Sequence, residues 1–367
     1  MERILVIAVP GIGDALLATP LVRSLKLAFP NASIDMIVRD GKSIVDSNPD
    51  ISRILVRKRR PPLWDDVKFL ACIFRRYDLA VSTSTTDRAF TYMLFAARTR
   101  VGTVASLTPQ TWWKRKVARN FVDADPNAHI VSQNLRLADI LNINRNWTVV
   151  LPEHSSQVHP PSVYHRIVSS TVRYAVIHMK PGSVAREWPV EYWRNIIESL
   201  RNRGITVVAT GGKSHAERAY VADVLSRWLS RKADQPTVFN LAGALSFCDI
   251  TRLMQGAAFY IGTDTSTTHV AAATGIPTVA LFGPTDIVRW GPWPRGFQGG
   301  SSPYRSDELS QTVGNVTVLQ QACACGSIRR PCTIAPGMPG SCMTQILPDR
   351  VMTVVDGILQ SPDAIAG

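Results

Sequence analysis

The apolar positions of the chain fall into two kinds of run. RILVIAV (3–9) is almost unbroken apolar sequence, as a strand covered on both faces of a parallel sheet requires. From Ala15 to Phe29 the apolar residues Leu17, Leu21, Leu25 and Phe29 recur with a helical period, and Pro30 ends the run. SIDMIV (33–38) reads as a second strand and DLAVST (78–83) as a later one. Strand, helix, strand is the signature of a parallel sheet. The periodicity disappears in LPEHSSQVHPPS (151–162), where proline, serine and histidine dominate. It then restarts. YAVIHM (174–179), ITVVATGG (205–212), AAFYIGTD (257–264) and IPTVALFG (276–283) read as strands. PVEYWRNIIESLRNRG (189–204) reads as an amphipathic helix closed by Gly204.

The pattern predicts an N-terminal domain over 1–155, a linker over 156–172 and a C-terminal domain over 173–367 with a cysteine-rich loop at 323–342. The expected architecture is α/β, two doubly wound halves facing each other across a cleft. Length agrees, since 367 residues exceed what one core serves. The apolar fraction of 45% and charged fraction of 19% exclude disorder and a coiled coil.

Charge changes the picture. Lys plus Arg number 41 and Asp plus Glu 28, a balance of +13, so partners are expected to be anionic. The apolar stretch from Ile4 to Leu17 is broken by Pro10, Gly11, Gly13 and Asp14. It cannot supply the roughly 18 uninterrupted residues of a membrane span, nor a signal-peptide core. A cytoplasmic protein is expected, with a peripheral place on the membrane open to it. Two clusters fit such a place: RKRRPPLW (57–64) and TWWKRK (111–116) both join aromatics to cations. Each also reads as an ordinary solvated face.

The candidate chemistry lies where strands end. Gly11-Ile12-Gly13-Asp14 follows the first strand, but Leu16 stands where a dinucleotide fingerprint needs its third glycine. A carboxylate there repels phosphate. Asp14 reads either as the N-cap of the helix from Ala15 or as a general base, with Gly11 and Gly13 letting substrate approach the backbone. In YIGTDTSTTHVAAATG (260–275), Asp264 is placed to cap a helix. The amides near Thr265, Ser266 and Thr267 then form an anion site that His269 can reach. In IHMKPGSVAREWP (177–189), Lys180 and Arg186 flank Pro181-Gly182-Ser183, a turn suited to a diphosphate. ATGGKSHAE (209–217) offers Glu217 to a ribose or base.

In this order the segments resemble the ADP-heptose glycosyltransferases, the heptosyltransferase family that builds the inner core of lipopolysaccharide. The family's opening turn corresponds to Gly11–Asp14, its central loop to His178–Pro189, and its late pair of motifs to Asp264–His269 and Val279–Asp286. The resemblance covers nearly the whole chain. It implies the GT-B fold of two Rossmann-like domains, the first taking the acceptor and the second the nucleotide sugar. It implies inverting transfer from an ADP-sugar, without a catalytic cofactor, to an anionic lipid-linked acceptor. It makes Asp14 the general base and Arg186 the phosphate partner. Lys180, Ser183, Glu217, Asp264, Thr265, Ser266 and His269 become substrate-binding residues. Two positions depart from the family: arginine replaces the usual lysine at 186, and Ser266 replaces the helix-start glycine. A nucleotide-sugar epimerase of the same fold, or a transferase with a protein or O-chain acceptor, is the competing reading. No nucleic-acid-binding motif supports a nucleic-acid partner.

Six cysteines complete the inventory. Cys72 and Cys248 stand in apolar settings and are expected in the core. Cys323, Cys325, Cys332 and Cys342 crowd into twenty residues. Four thiolates so spaced can wrap one zinc or iron ion in a structural role. Four reduced structural cysteines, or two disulfides, are the alternative.

Overall fold

The structure is a computed structural model that describes residues 1–9, 11–39, 42–105, 108–153, 160–229, 237–321 and 341–360. Its contacts divide the chain into two compact units. One is Met1–His154 with Gly296–Ser302, the other Ser155–Arg295 with Pro303–Gly367. The sequence pattern assigns 296–302 to the second domain, yet these residues group with the first. There the Ser301 carbonyl accepts from the His129 N–H at 3.1 Å.

The first unit runs β1 (Arg3–Ala8), α1 (Ile12–Leu17), α2 (Thr19–Ala28), β2 (Ser33–Val38), α3 (Lys42–Val45) and β3 (Arg53–Val56). It continues with α4 (Leu63–Ile73), β4 (Tyr77–Ser82), α5 (Asp87–Ala96), β5 (Ala97–Val104), α6 (Trp112–Val117), β6 (Asn120–Asp123) and α7 (Ile130–Ile140). The six strands are parallel and ordered β3-β2-β1-β4-β5-β6. This is the doubly wound order, with its switch point between β1 and β4. Leu5 and Ile7 of β1 join Ile73, Phe90 and Val117 of α4, α5 and α6 in one apolar cluster.

The single helix expected from Ala15 to Phe29 is two helices that break at Ala18. Pro20 has no N–H to give the Leu16 carbonyl. The Thr19 hydroxyl donates to that carbonyl instead, at 2.7 Å. The break is therefore satisfied rather than strained.

The second unit runs α8 (Ser162–Val168), β7 (Tyr174–His178), α9 (Val190–Asn202), β8 (Thr206–Thr210), α10 (His215–Leu229), β9 (Val238–Asn240) and α11 (Phe247–Gln255). Then follow β10 (Phe259–Thr263), α12 (Ser266–Thr274), β11 (Thr278–Phe282), α13 (Ile287–Trp290), β12 (Ser310–Val313), β13 (Val316–Gln320), α14 (Ser341–Thr344) and α15 (Pro348–Gln360). The strand order is β12-β13-β11-β10-β7-β8-β9, parallel except for the edge strand β12. Apart from that edge strand, the order repeats that of the first sheet. The switch point lies between β7 and β10, where Gly262 stands beside His178. Helix α9 forms because Trp193, Ile196, Ile197 and Leu200 make one buried stripe. It ends before Gly204, whose φ of +72° is the left-handed value a helix terminus favours. With two sheets of this kind, the chain has the GT-B fold of two Rossmann-like units.

Candidate functional site

In an open α/β sheet, ligands gather outside the carboxyl ends of the strands at the switch point. Each unit has such a place, and each is described by itself.

In the second unit the loops after β7 and β10 leave from neighbouring strands. The first is anchored by Trp188, which is buried and donates from Nε1 to the Ile346 carbonyl at 2.9 Å. The Trp188 carbonyl accepts from the Tyr220 hydroxyl at 3.1 Å. Arg186 closes a short 3-10 turn, Val184–Arg186, with its N–H bonded to the Ser183 carbonyl at 3.0 Å. From this fixed base the Arg186 guanidinium reaches the Asp264 carboxylate at 2.9 Å and the Asp264 carbonyl at 3.1 Å. Thr285, in the loop after β11, donates to the same carboxylate oxygen at 2.6 Å.

Asp264 therefore does not cap the following helix, contrary to the sequence expectation. The N-cap is Thr265, whose side chain makes no capping bond. The Asp264 carboxylate is buried and is turned instead toward a guanidinium and a hydroxyl. The amides of Ser266 and Thr267 open α12 without an intrahelical acceptor, whereas those of Thr268 and His269 already bond to the Thr265 carbonyl. His269, one turn further, is buried, and among the described residues its Nδ1 has no hydrogen-bond partner. A buried polar atom without a partner is uncommon in a folded chain, so this one marks the start of α12 as a candidate site. Burial holds the His269 imidazole below its ordinary pKa. Asp264 opposes that shift and Arg186 adds to it.

The remaining predicted residues sit around this centre. His178 ends β7 and is buried, with Nδ1 3.0 Å from the Thr210 hydroxyl. Burial lowers its pKa to about 4, with nearby Glu217 pulling the other way. Glu217 lies in the first turn of α10 and accepts from the Ser214 hydroxyl at 2.6 Å. Lys180 pairs with Glu187, and its ammonium stands 5.0 Å from the centre of the Tyr220 ring. The structure thus joins Arg186 to Asp264 directly, while Lys180 is drawn to a carboxylate of its own loop. Thr285 lies within the motif Val279–Asp286, which by itself marks no role for it. Its position after a buried strand was the available signal.

In the first unit, the loop after β1 carries Asp14. It is not the helix N-cap: Gly11 is, with φ −157° and ψ 179°. Asp14 lies in the first turn of α1, where the helix dipole favours a carboxylate. Gly13 is part of that helix. A Cβ at Gly11 would stand 2.9 Å from the Asp14 carboxylate, so a larger residue there would make that carboxylate shift. The neighbouring loop after β4 is held by hydroxyls. Thr83 bonds to the Ile7 carbonyl, and Thr86 caps α5 by accepting from the Ala89 N–H.

The two basic clusters are not uniformly solvated. Arg57 is largely covered, bonded to Asp66 at 2.5 Å and stacked 4.3 Å over the Phe69 ring. Lys114 is buried, donating to the Thr85 carbonyl at 2.7 Å and paired with Asp87 at 2.6 Å. Lys58, Arg59 and Arg60 are exposed.

Of the cysteines, Cys248 is buried but Cys72 is exposed, on the outer side of α4, against expectation. The helix turns Phe69, Leu70 and Ile73 to the core, and position 72 falls outside that stripe. Cys342 is buried beside Met343 and Ile346 in the second unit's core. Cys323, Cys325 and Cys332 lie outside the described residues. Among the described residues no group of three or more His, Cys, Asp and Glu side chains could hold a metal ion. Nor is any described helix long and apolar enough to cross a membrane.

Comparison with known proteins follows the same lines. The family model described as glycosyltransferase family 9 (heptosyltransferase) matches residues 75–311. Lipopolysaccharide heptosyltransferase 3 of Escherichia coli K12 is 27% identical, covering 77% of this chain and 82% of that protein. Lipopolysaccharide heptosyltransferase 1 of Pseudomonas aeruginosa is 24% identical, with 99% of each covered. The structure of E. coli ADP-heptose lps heptosyltransferase II superposes with a TM-score of 0.71 at 18% identity over 98% of both chains. A family 9 glycosyl transferase from Veillonella parvula superposes with a TM-score of 0.74 at 16% identity.

Proposed function

This chain belongs to glycosyltransferase family 9, the heptosyltransferases, and from that premise we propose that it moves a heptose or related sugar from an ADP-sugar to a lipopolysaccharide core-type acceptor at the cytoplasmic face of the membrane. The observation that carries this reading is the guanidinium of Arg186 fixed on Asp264 beside the open start of α12, with the buried Nδ1 of His269 next to it.

The chemistry is a single displacement with inversion. An acceptor hydroxyl oxygen forms a bond to the anomeric carbon while the bond from that carbon to the diphosphate oxygen breaks. Asp14 takes the hydroxyl proton. Negative charge grows on the departing ADP, and Arg186 with the first amides of α12 stabilises it. Glu217, Ser183 and His269 orient the nucleotide. The glycine-lined loop of the first unit carries a carboxylate because it serves a hydroxyl, not a phosphate.

The test is transfer from ADP-heptose to a lipid A–Kdo acceptor, followed by mass spectrometry of the product. A heptosylated acceptor supports the reading, as does survival of transfer in chelator, since protein cations neutralise the leaving group. Conversion of the free sugar nucleotide without an acceptor would replace it with the epimerase reading.

A further inference from the structure

Among the described residues, the strongest feature outside the proposed site is the outer rim of the first unit's helical layer. Helices α4, α5 and α6 pack side by side on one face of the sheet. All three begin at the carboxyl end of the strands, the end that also carries Asp14. Helix α4 is amphipathic in the wrong sense for a solvated helix. Phe69, Leu70 and Ile73 face the core, yet Leu63, Trp64 and Val67 on another side are 82%, 54% and 53% exposed. Val67 is i+4 from Leu63 and i+3 from Trp64, so it neighbours both on the helix surface. Trp112 at the start of α6 is 52% exposed. Single exposed apolar residues need no explanation, but a face of them beside a run of cations does.

The cations are arranged with the aromatics. Lys68 stands 5.4 Å from the Trp64 ring and Lys116 stands 4.8 Å from the Trp112 ring. Lys58, Arg59 and Arg60 lead directly into α4. The rim is also tied together: Arg88 of α5 donates to the carbonyls of Lys58 and Arg59 at 3.4 and 2.9 Å. Lys114 of α6 holds Thr85 and Asp87 at the start of α5. The acidic residues here are largely spent, Asp66 on Arg57 and Asp87 on Lys114, leaving the half-buried Asp65.

We propose that this rim docks on an anionic lipid bilayer, with Leu63, Trp64, Val67 and Trp112 entering the headgroup region and Lys58, Arg59, Arg60, Lys68 and Lys116 meeting acidic headgroups. Tryptophan under a lysine suits an interface that is apolar on one side and charged on the other. A helix lying in that plane needs an apolar face flanked by cations. A second copy of the chain fits worse, because a two-fold contact would set one cationic rim against another. Exposed Leu63 and Val67 give nothing to a nucleic-acid backbone. The inference deepens the proposed function, naming where the membrane of a lipid-linked acceptor is met.

The experiment is co-sedimentation of the purified full chain with vesicles of phosphatidylethanolamine and phosphatidylglycerol, and with phosphatidylcholine vesicles. The wild type is expected to bind only the anionic vesicles, with a blue shift of tryptophan emission. The combined variant Leu63→Gln, Trp64→Gln, Trp112→Gln should bind about tenfold or more weakly. The combined variant Lys58→Gln, Arg59→Gln, Arg60→Gln should bind more weakly at low salt, and raising salt should weaken its binding less than it weakens that of the wild type. Unchanged binding in the first variant, equal binding to neutral vesicles, or a wild-type dimer that the first variant dissolves would each overturn the proposal. Transfer to a lipid-free acceptor, assayed in parallel, should be the same in the first variant and the wild type. Sedimentation does not depend on turnover, so a wild type that fails to transfer sugar would count against the proposed function alone.

Discussion

The two sheets share a strand order but end differently. At the switch point of the second, the groups are closed on one another. Arg186 and Thr285 converge on one carboxylate oxygen of Asp264, and His178 and His269 are buried beside them. At the switch point of the first, a carboxylate stands in a glycine turn, and the flanking rim is exposed cation and tryptophan. A diphosphate needs fixed donors placed before it arrives, because reorganising them during bond breaking costs rate. An acceptor hydroxyl needs one base and an approach. On the proposed function the same fold serves both, because function resides in loops at strand ends. The sharpest test is to exchange the character of one end and ask which kinetic constant moves.

The largest effect is expected at Asp14. Asp14→Asn should lower kcat by about a hundredfold or more, the range for a lost general base. ADP binding, read by calorimetry, should not change. Near-normal turnover would reduce Asp14 to a residue that serves the helix dipole of α1, and the contrast between the two ends would fail.

Arg186→Ala should act on the other constant. Losing a charge-assisted contact weakens ADP binding by roughly 10- to 100-fold. It also leaves Asp264 with Thr285 alone, so a fall in melting temperature should accompany it. Arg186→Lys separates the two effects: it keeps the charge but not the fork, and should recover part of the affinity. Unchanged ADP affinity in both variants would move the nucleotide site elsewhere.

How far the chain could be read in advance follows from the range of the interactions. Strands β1, β2, β7, β8, β10 and β11 are legible because each is a buried apolar run. Strand β5 is not, since ARTRVGTV carries two arginines. Arg100 is tolerated in it because its side chain donates to the Val117 carbonyl at 2.6 Å, a partner 17 residues away that no local pattern announces. The same limit applies to the site. Arg186 and Asp264 stand out as residue types at strand ends, but their pairing spans 78 residues. Cys72 shows the opposite failure. Its apolar neighbours suggested a core residue, but the outer face of α4 is itself apolar.

A smaller effect concerns pH. His178 is held neutral by burial, with its pKa lowered to about 4 from 6.5. The folded state thus binds this proton less readily than the unfolded chain does. The stabilisation is complete above about pH 6.5 and is lost as pH falls through 4, amounting to on the order of 3 kcal/mol. Melting temperature should fall across that window, and His178→Gln should flatten the fall. An identical pH profile in the variant would assign the acid sensitivity to other groups.

The smallest effect is expected at Thr285, and it bears most directly on the idea of a preset site. The Thr285 hydroxyl donates to the carboxylate oxygen that also receives Arg186. It touches the cation only through Asp264, so it is a positioning residue. Thr285→Ala removes one hydrogen bond of about 1 kcal/mol and should weaken ADP binding by roughly fivefold. Thr285→Ser keeps the hydroxyl and should restore it. A merely structural threonine would instead show equal losses in melting temperature for both variants and no change in affinity. The double variant with Arg186→Ala then decides the route of coupling. If Thr285 acts through the guanidinium, its removal should cost almost nothing further once Arg186 is gone, and the two effects should fail to add. Full additivity would mean that the guanidinium is not placed by this network.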